Sequence, residues 1–334
     1  MVEVWLRYGK TMIFTDIEEN FEIVKNSKTW TESQKLREEI SNTVKSGINR
    51  IVIDYVYGVE RFDEVIETAV SAVGEKLSSS DRLEVFVSCW RYGDFSVEKV
   101  LFDIAKNTIY ETGVEKIKHL TSSEVDLSAA LVISPSIYWD GEVVCWRDFC
   151  DFMGTNGGYV VSPVVGYCGV VSEVLFGEKL DEHETVAITN QAASYTTADN
   201  PDIILVGGPG HPIDARLSTC INLAAAVADT SPNKVVVYAF ECSEGLGDNE
   251  FIKTLIGTAS SPTFEKRVAA WRNTASKHKV CVVTALPATF VEELLHAKHS
   301  DTLDQALVYG RRIKTREAKV LVVENGVGTR LTGF

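Results

Sequence analysis

The chain has 334 residues, a formal net charge of −14 and a hydrophobic fraction of 45%, which fits a globular protein of about two domains. The acidic balance argues against nucleic-acid binding, which needs a basic face, and no apolar run is long enough to span a bilayer. The first residues lack the basic-then-apolar order of a secretory signal, so we expect a cytoplasmic protein without a nucleic-acid or membrane partner.

The first part of the chain alternates strand and helix patterns. Two short apolar segments, 2–8 and 11–15, predict an initial hairpin. The segments that follow predict, in chain order, helix 33–46, strand 50–55, helix 63–77, strand 82–89, helix 96–110 and strand 127–133. Because strands and helices alternate, we expect a mainly parallel sheet with helices on both faces.

The middle of the chain is less regular. Residues 134–166 are rich in aromatic side chains without a clear period, and 140–142 and 155–158 carry turn signals. Residues 182–195 predict a linking helix, after which residues 198–201, with Asn200 and Pro201, break the chain. We therefore predict an N-terminal domain at 1–180, a linking helix and loop at 181–200, and a C-terminal domain at 201–334.

A second alternating set follows this break. It predicts strand 203–206, helix 214–228, strand 234–240, a helix from Asp248, strand 279–284, helices 289–297 and 302–313, strand 319–323 and a turn at 324–328. The predicted fold class is therefore α/β, with two α/β domains, mainly parallel sheets and a cleft between them. Such clefts, at domain interfaces and carboxyl ends of parallel strands, are the usual ligand sites.

A glycine-rich turn separates strand 203–206 from helix 214–228. Its residues Gly207, Gly208 and Gly210 would let a ligand approach the backbone, and the helix N-terminus would attract an anion. We predict a small anion there, with His211 in contact. The turn is neither a P-loop nor a GxGxxG fingerprint, and glycines that serve only positive φ explain it equally well. Asp214 argues against the site because its carboxylate could cap the helix.

Cysteine and histidine spacing predicts no metal site. The seven cysteines contain no CxxC pair and mostly lie in apolar segments, so buried free thiols are expected, with a single reactive Cys242 left open. His296 and His299 share one predicted helix face and could pair on a metal, but the sequence offers no third ligand.

Four segments of the C-terminal part carry a family resemblance. They are the strand and turn 203–214, the run VVVYAFECSEGLG at 235–247, TLDQAL at 302–307 and AKVLVVENG at 318–326. In this order they resemble the C-terminal domain of the lactate racemase (LarA-type) family. Members of that family invert the hydroxyl-bearing carbon of small 2-hydroxy acids, with a nickel-pincer nucleotide held between two α/β domains. The resemblance is clear over about residues 200–330 and continues through the strands near Ile51, Val85 and Leu131.

The resemblance also assigns candidate site residues. Where the family has an Asp-His-Thr-Arg-Pro turn, residues 56–61 read VYGVER, so Arg61 is the candidate for the family arginine. Where the family has a proton-transfer histidine, residues 90–94 read WRYGD, which puts Tyr92 in its place and Arg91 beside it. Tyr92 and His211 are thus the catalytic candidates, although a tyrosine pKa of about 10 suits a proton-transfer base poorly. The remaining positions matched to the family's ligand site are Thr219, Asn222 and Trp271.

The chain departs from the family where the cofactor is attached. It has no histidine between His119 and His183 and no lysine between Lys118 and Lys179, the region of the family's second catalytic histidine and anchoring lysine. We therefore predict no covalently attached nickel-pincer nucleotide, and the cofactor stays unassigned. Three functions remain open: a divergent racemase or epimerase of a small 2-hydroxy acid, a non-catalytic binder of a small anion, and a structural partner of an intact homologue. Formation of a homo-oligomer is also left open.

Overall fold

Two six-stranded sheets form the frame of the protein. The computed structural model describes residues 2–17, 20–26, 28–44, 48–77, 82–114, 116–120, 130–154, 158–178, 180–197 and 199–334. The predicted turn residues 155–157 and the predicted strand residues 127–129 lie outside these ranges. No helix within the described residues is both long and apolar enough to cross a membrane.

The elements are numbered in chain order. The strands are β1 (Val2–Tyr8), β2 (Thr11–Ile17), β3 (Phe21–Ile23), β4 (Arg50–Asp54), β5 (Glu84–Ser88), β6 (Lys116–His119), β7 (Leu131–Ile133), β8 (Ile137–Trp139), β9 (Glu142–Val144), β10 (Tyr159–Gly166), β11 (Val170–Gly177), β12 (Ser194–Tyr195), β13 (Ile203–Gly207), β14 (Val235–Ala239), β15 (Lys279–Val283), β16 (Lys298–Ser300), β17 (Val320–Val323) and β18 (Arg330–Leu331). The helices are α1 (Ser33–Thr43), α2 (Phe62–Gly74), α3 (Phe95–Tyr110), α4 (Trp146–Phe152), α5 (Glu182–Ala193), α6 (Leu217–Cys220), α7 (Asn249–Ile256), α8 (Pro262–Lys277), α9 (Ala288–Glu293) and α10 (Leu303–Ile313).

The first sheet has the strand order β11-β10-β7-β4-β5-β6. All its neighbouring strands are parallel except the edge pair β10 and β11, which is antiparallel. Ile51, Val52 and Ile53 on the central strand β4 are fully buried on both faces, as the continuous apolar run requires. The carboxyl ends of β4, β5 and β7 therefore meet at one edge of this sheet.

The second sheet has the order β16-β15-β14-β13-β17-β3, and every neighbouring pair in it is parallel. Its edge strand β3 comes from the start of the chain. The hairpin of β1 and β2 also packs here, because Val4, Leu6 and Ile17 share a core cluster with side chains of β13, β14, β15 and β17. The domain ranges 1–180, 181–200 and 201–334 stay a prediction. Residues 21–23, however, pair with β17 and so belong to the sheet formed by the C-terminal strands.

The α/β fold class with mainly parallel sheets is confirmed. The initial hairpin and most predicted strands are present within one or two residues of their bounds, and the linking helix is α5. The aromatic segment 134–166, where no period was visible, contains the β8–β9 hairpin, α4 and β10, and β10 pairs with β11 in antiparallel orientation. Every residue of β10 is buried, which explains the missing alternation.

Three predicted helices are wrong in their extent. Segment 214–228 is not one helix but a 3₁₀ turn at Ile213–Ala215, the short α6 and a 3₁₀ segment at Ile221–Val227. It breaks because the N–H groups of Leu217 and Ser218 donate to the carbonyls of Gly245 and Leu246 rather than to a preceding helical turn.

The helix predicted from Asp248 is two helices. Gly257, in the left-handed region at φ +77°, ends α7, and Pro262 begins α8 at a position where its missing N–H costs nothing. The third helix, predicted over 289–297, ends with α9 at Glu293. His299 instead lies in the edge strand β16, so His296 and His299 share no helix face.

We predict that Gly207→Ala destabilises the protein by about 1–3 kcal/mol, the usual cost of an overpacked core position. An added Cβ would lie 2.4 Å from the Glu324 carbonyl oxygen and 3.1 Å from the Leu6 side chain. The measurement is the urea-unfolding midpoint followed by tryptophan fluorescence. Gly74→Ala is the control, because its Cβ at the end of α2 meets no atom within 4 Å. Equal losses in both variants would contradict this packing.

Candidate functional site

A buried ion pair lies at the carboxyl edge of the first sheet. Asp54 ends β4, and Arg91 follows β5 in a short 3₁₀ turn. The Arg91 Nε and Nη2 atoms donate to Asp54 Oδ2 at 2.9 and 2.6 Å, and Ser134 Oγ donates to the same oxygen at 2.9 Å. Burial raises the pKa of Asp54, while the Arg91 charge and these hydrogen bonds oppose that rise. These hydrogen bonds hold the carboxyl ends of β4, β5 and β7 together.

The third nitrogen of this guanidinium remains available. Arg91 Nη1 is buried and has no hydrogen-bond partner among the described residues. The indole Nε1 of Trp139, at the end of β8, is likewise buried without one. Both residues line the same cavity of about 610 Å³. Buried donors without partners are costly, so a ligand that supplies acceptor oxygens would be stabilised here.

The cavity has a buried floor, an aromatic wall and a charged rim. Ser88, Arg91, Trp139 and Arg267 form the floor, and all four are buried. Trp90 and Phe152 form the wall, with ring centroids 4.8 Å apart. The exposed or half-buried rim carries the charged side chains Glu98, Asp140, Glu142, Asp148, Asp151 and Lys266. A volume of this size fits a small organic ligand.

Arg267 of α8 closes the cavity from the side of the second sheet. It is only 2% exposed, and its Nε donates to Asp140 Oδ2 at 2.8 Å. Its Nη1 donates to the carbonyls of Tyr92 and Ser218 at 2.9 and 3.1 Å, and its Nη2 donates to the Arg91 carbonyl. One guanidinium therefore ties the turn after β5, the β8–β9 turn and α6 together.

A second contact joins the same two parts of the molecule. Asp94 caps the N-terminus of α3 by accepting from the N–H groups of Ser96 and Val97. The same carboxylate receives Arg216 Nη1 at 3.1 Å on both oxygens. Because Arg216 precedes α6, the cap of α3 is also an ion pair across the interface.

Tyr92 does not reach the cavity. It is fully buried, its ring packs edge-on against Trp139 with centroids 5.6 Å apart, and its hydroxyl accepts the Tyr57 N–H at 2.9 Å. Burial raises the pKa of Tyr92 above its ordinary value. The described contacts give this side chain a packing role and do not support a role as a proton-transfer base.

The glycine turn at 207–211 packs against the tip of the β1–β2 hairpin. The His211 N–H donates to the Gly9 carbonyl at 2.8 Å, and the Gly9 N–H donates to Asp214 Oδ2 at 2.6 Å. Gly210 takes φ +82°, and an added Cβ there would lie 3.2 Å from the Gly9 oxygen. These contacts explain the glycines by close backbone packing, and anion binding at this turn stays a prediction.

The other predicted site residues lie away from the cavity. Arg61 forms an ion pair with Glu64 at 2.8 Å. Thr219 Oγ1 donates to the Ile213 and Arg216 carbonyls, and Asn222 is buried in the following 3₁₀ segment. Trp271 is buried, and its Nε1 donates to the Leu295 carbonyl at 3.0 Å. Of the predicted residues, only Arg91 lines the cavity.

The sequence did not reveal which groups share the cavity with Arg91. Trp139 lies just before the turn signal at 140–142 and Asp140 begins it, but nothing marked them as close to α8. Arg267 lies on a helix that the sequence did not separate from α7, and its carboxylate partner is 127 residues away. Only the fold brings these groups together.

The residues at this edge do not fit a nickel-pincer nucleotide. The sequence has no lysine between Lys118 and Lys179 to attach it, and Tyr92, at the histidine's place, is sealed. Within the described residues no group of three or more His, Cys, Asp or Glu could hold a metal ion. Cys242 is buried, with its Sγ 3.7 Å from that of Cys220.

The fold and site define an α/β protein with a ligand-sized cavity at the carboxyl edge of a parallel sheet. Residues 196–330 match the family model of the lactate racemase C-terminal domain. Residues 196–330 therefore carry a lactate racemase C-terminal domain, which confirms the resemblance over this part of the chain.

Solved structures show the same fold over the whole chain. The lactate racemase apoprotein from Thermoanaerobacterium thermosaccharolyticum matches with a TM-score of 0.67 and 16% identity, over 99% of this chain and all of that one. A Thermotoga maritima protein solved by the Northeast Structural Genomics Consortium matches with a TM-score of 0.60 and 8% identity, over 92% of this chain and all of that one. At these identities the likeness shows shared fold alone. A search of curated proteins finds no match.

We predict that Arg267→Met lowers the free energy of unfolding by about 3–5 kcal/mol, because it leaves the buried Asp140 carboxylate and three carbonyls without their donor. Thermal and urea unfolding measure the loss. The matched control is Lys266→Met on the next residue of α8, whose exposed ion pair with Glu142 is worth at most about 1 kcal/mol. Similar losses of stability in the two variants would show that Arg267 does not hold these three segments together.

Proposed function

We propose that this chain binds a small carboxylate in the cavity at the Arg91 edge and acts as a binding protein on the lactate racemase scaffold. The observation that carries the proposal is the buried Arg91 guanidinium, which keeps one nitrogen without a partner in a cavity of about 610 Å³. A cytoplasmic location is part of the proposal. Self-association stays open as a prediction.

The orientation of Arg91 supports a carboxylate as the ligand. Asp54 and the Pro135 carbonyl hold the guanidinium through Nε and Nη2, so its position does not depend on the ligand. A pre-positioned charged donor loses little conformational entropy on binding, and hydrogen bonds from arginine to a carboxylate are among the stronger ones in proteins. The Trp139 indole N–H supplies a second, neutral donor for the same ligand.

The side chains favour binding over racemisation. Removing and returning a proton needs a base whose pKa lies near the working pH, a role usually played by histidine. Among the described residues that line the cavity there is no histidine, and the hydroxyl of Tyr92, the residue matched to the family's histidine, accepts the Tyr57 N–H.

The match of residues 196–330 to the lactate racemase C-terminal domain keeps racemisation or epimerisation of a small 2-hydroxy acid as the second candidate. A carboxylate held by Arg91 would be compatible with it. The two are distinguished by incubating protein from a cofactor-producing host with L-lactate or L-malate and separating the enantiomers by chiral chromatography. Formation of the D enantiomer would establish the second candidate.

We predict that the wild-type chain binds lactate, malate or butyrate at millimolar concentration or tighter, measured by calorimetric titration. The double variant Asp54→Asn/Arg91→Gln should bind about 10- to 100-fold more weakly, because it removes a charge-assisted hydrogen bond of about 1.5–3 kcal/mol. Changing both partners avoids leaving a buried charge unpaired.

The control for this experiment is Arg312→Gln, an exposed arginine in the last turn of α10 that does not line the cavity. It should leave binding unchanged. Absence of binding by the wild type, or retained affinity in a folded double variant, would refute the proposal. Folding is checked by circular dichroism of each protein.

A further inference from the structure

The charged residues around the cavity indicate a further property of the ligand besides its carboxylate. Among the described residues that line it, five are acidic, namely Glu98, Asp140, Glu142, Asp148 and Asp151, and three are basic, namely Arg91, Lys266 and Arg267. Two of the basic residues are paired within the lining, Arg267 with Asp140 and Lys266 with Glu142. The third, Arg91, is paired with Asp54 beneath the floor. The lining therefore has an excess of carboxylates.

Three carboxylates at the rim have no cation in the lining. Asp151 has a partly exposed partner in Arg147 at 3.2 Å, and an Asp148 oxygen accepts the Cys145 N–H at 2.7 Å. Glu98 has no ion pair with any described residue. Its pKa is raised by burial and by the nearby Asp94, as expected for an acid that lacks a counter-charge.

The floor and the rim therefore favour ligand groups of opposite charge. The floor has the buried, unpartnered Arg91 Nη1, which would donate to a ligand oxygen, while the rim places carboxylates around the entrance. A simple anion would have its charge satisfied at Arg91 but would be repelled by the rim. A ligand with a second, cationic group would satisfy both ends.

The wall between them suits such a cation. The Trp90 and Phe152 rings stack with centroids 4.8 Å apart, and Phe152 is 47% exposed. Aromatic faces attract ammonium and guanidinium groups. The Arg91 guanidinium already lies over the Trp90 ring, 5.4 Å from its centroid, so the partly exposed Phe152 is the ring that would receive the cation of the ligand.

We propose that the ligand of this cavity is a zwitterion, a carboxylate whose other end carries an ammonium or guanidinium group. The carboxylate is held by Arg91 and Trp139, and the cation is held at the rim by Glu98, Asp148 and Asp151. This inference rests on the proposed carboxylate-binding function and narrows its ligand class.

The test uses probes that differ only in the cation. 4-Guanidinobutyrate is compared with 4-ureidobutyrate, its neutral isostere, and 6-aminohexanoate with hexanoate, by calorimetric titration of the full chain at low ionic strength. The cationic member of each pair should bind at least about tenfold more tightly. The ratio should fall as salt is added, because the rim is exposed.

The rim is then neutralised by the variant Glu98→Gln/Asp148→Asn/Asp151→Asn, which keeps the size of each side chain. The preference for the cationic probe should fall to near unity, while the affinity for hexanoate stays equal or rises. Glu265→Gln, an exposed acid of α8 outside the lining, is the control and should keep the preference.

The possible outcomes separate the two proposals. Tight binding of hexanoate and 4-ureidobutyrate without preference for the cationic probes would overturn the zwitterion and leave carboxylate binding intact. A preference that survives neutralisation of the rim would also overturn it, because the cation would then be held elsewhere. If no probe binds, both proposals fail. Circular dichroism and melting of each variant show that it is folded.

Discussion

The buried guanidinium of Arg267 is the interaction on which the arrangement of the site depends. Its hydrogen bonds end on carbonyls of the turn after β5 and of α6, and its charge is paired with Asp140 on the β8–β9 turn. Each of these segments alone has exposed backbone acceptors and little regular structure to hold it. A single planar group with donors at fixed angles can satisfy all of them at once, which a lysine could not do. The cavity therefore has a defined floor even though its lining residues come from segments beside the first sheet and from α8 beside the second.

The pair of Arg91 and Asp54 makes a different contribution. Taking two charges out of water costs several kcal/mol per ion, and their attraction recovers this only with good geometry and further hydrogen bonds. Here Ser134 and the Pro135 carbonyl supply such bonds, yet Arg91 Nη1 is left over. A purely structural ion pair would gain by satisfying that last donor within the protein. Asp54 Oδ1 is also buried without a partner, so the pair leaves one donor and one acceptor unsatisfied among the described residues.

The sequence was informative wherever local pattern decides structure. The continuous β-branched runs of β4 and β13 are buried on both faces, and such runs predict parallel strands without further context. Local pattern failed at 214–228, where helical spacing of apolar residues was present but every residue of 217–227 is buried. There the carbonyls of Gly245 and Leu246, distant in sequence, compete for the N–H groups that a helix would use. Tertiary contact overrode a pattern that was locally convincing.

The sequence predicted a ligand at the glycine turn 207–211 and not at the edge where Arg91 lies, although the fold class makes any edge where parallel strands end a place for ligands. Arg91 was a candidate because it stands beside Tyr92 in the segment matched to the family's histidine. Its partners Asp54 and Ser134, and Trp139 in the same cavity, lie on other elements, and no spacing in the sequence connects them. Family resemblance pointed instead to Tyr92, the residue after Arg91, whose side chain turns into the core.

Arg91 and Tyr92 show how one scaffold supports a changed use of the same edge. In a tight 3₁₀ turn, consecutive side chains point in different directions, so one faces the cavity while the next faces the packed interior. A histidine at the second position would have to displace the contact of Tyr92 with Trp139 to reach a ligand. In this chain the ring of Tyr92 fills that space and its hydroxyl accepts the Tyr57 N–H, so the described contacts of the side chain are packing contacts. The strand ends converge at this edge whichever residue stands there, so the fold provides a place for a ligand and the side chains around it decide which ligand binds.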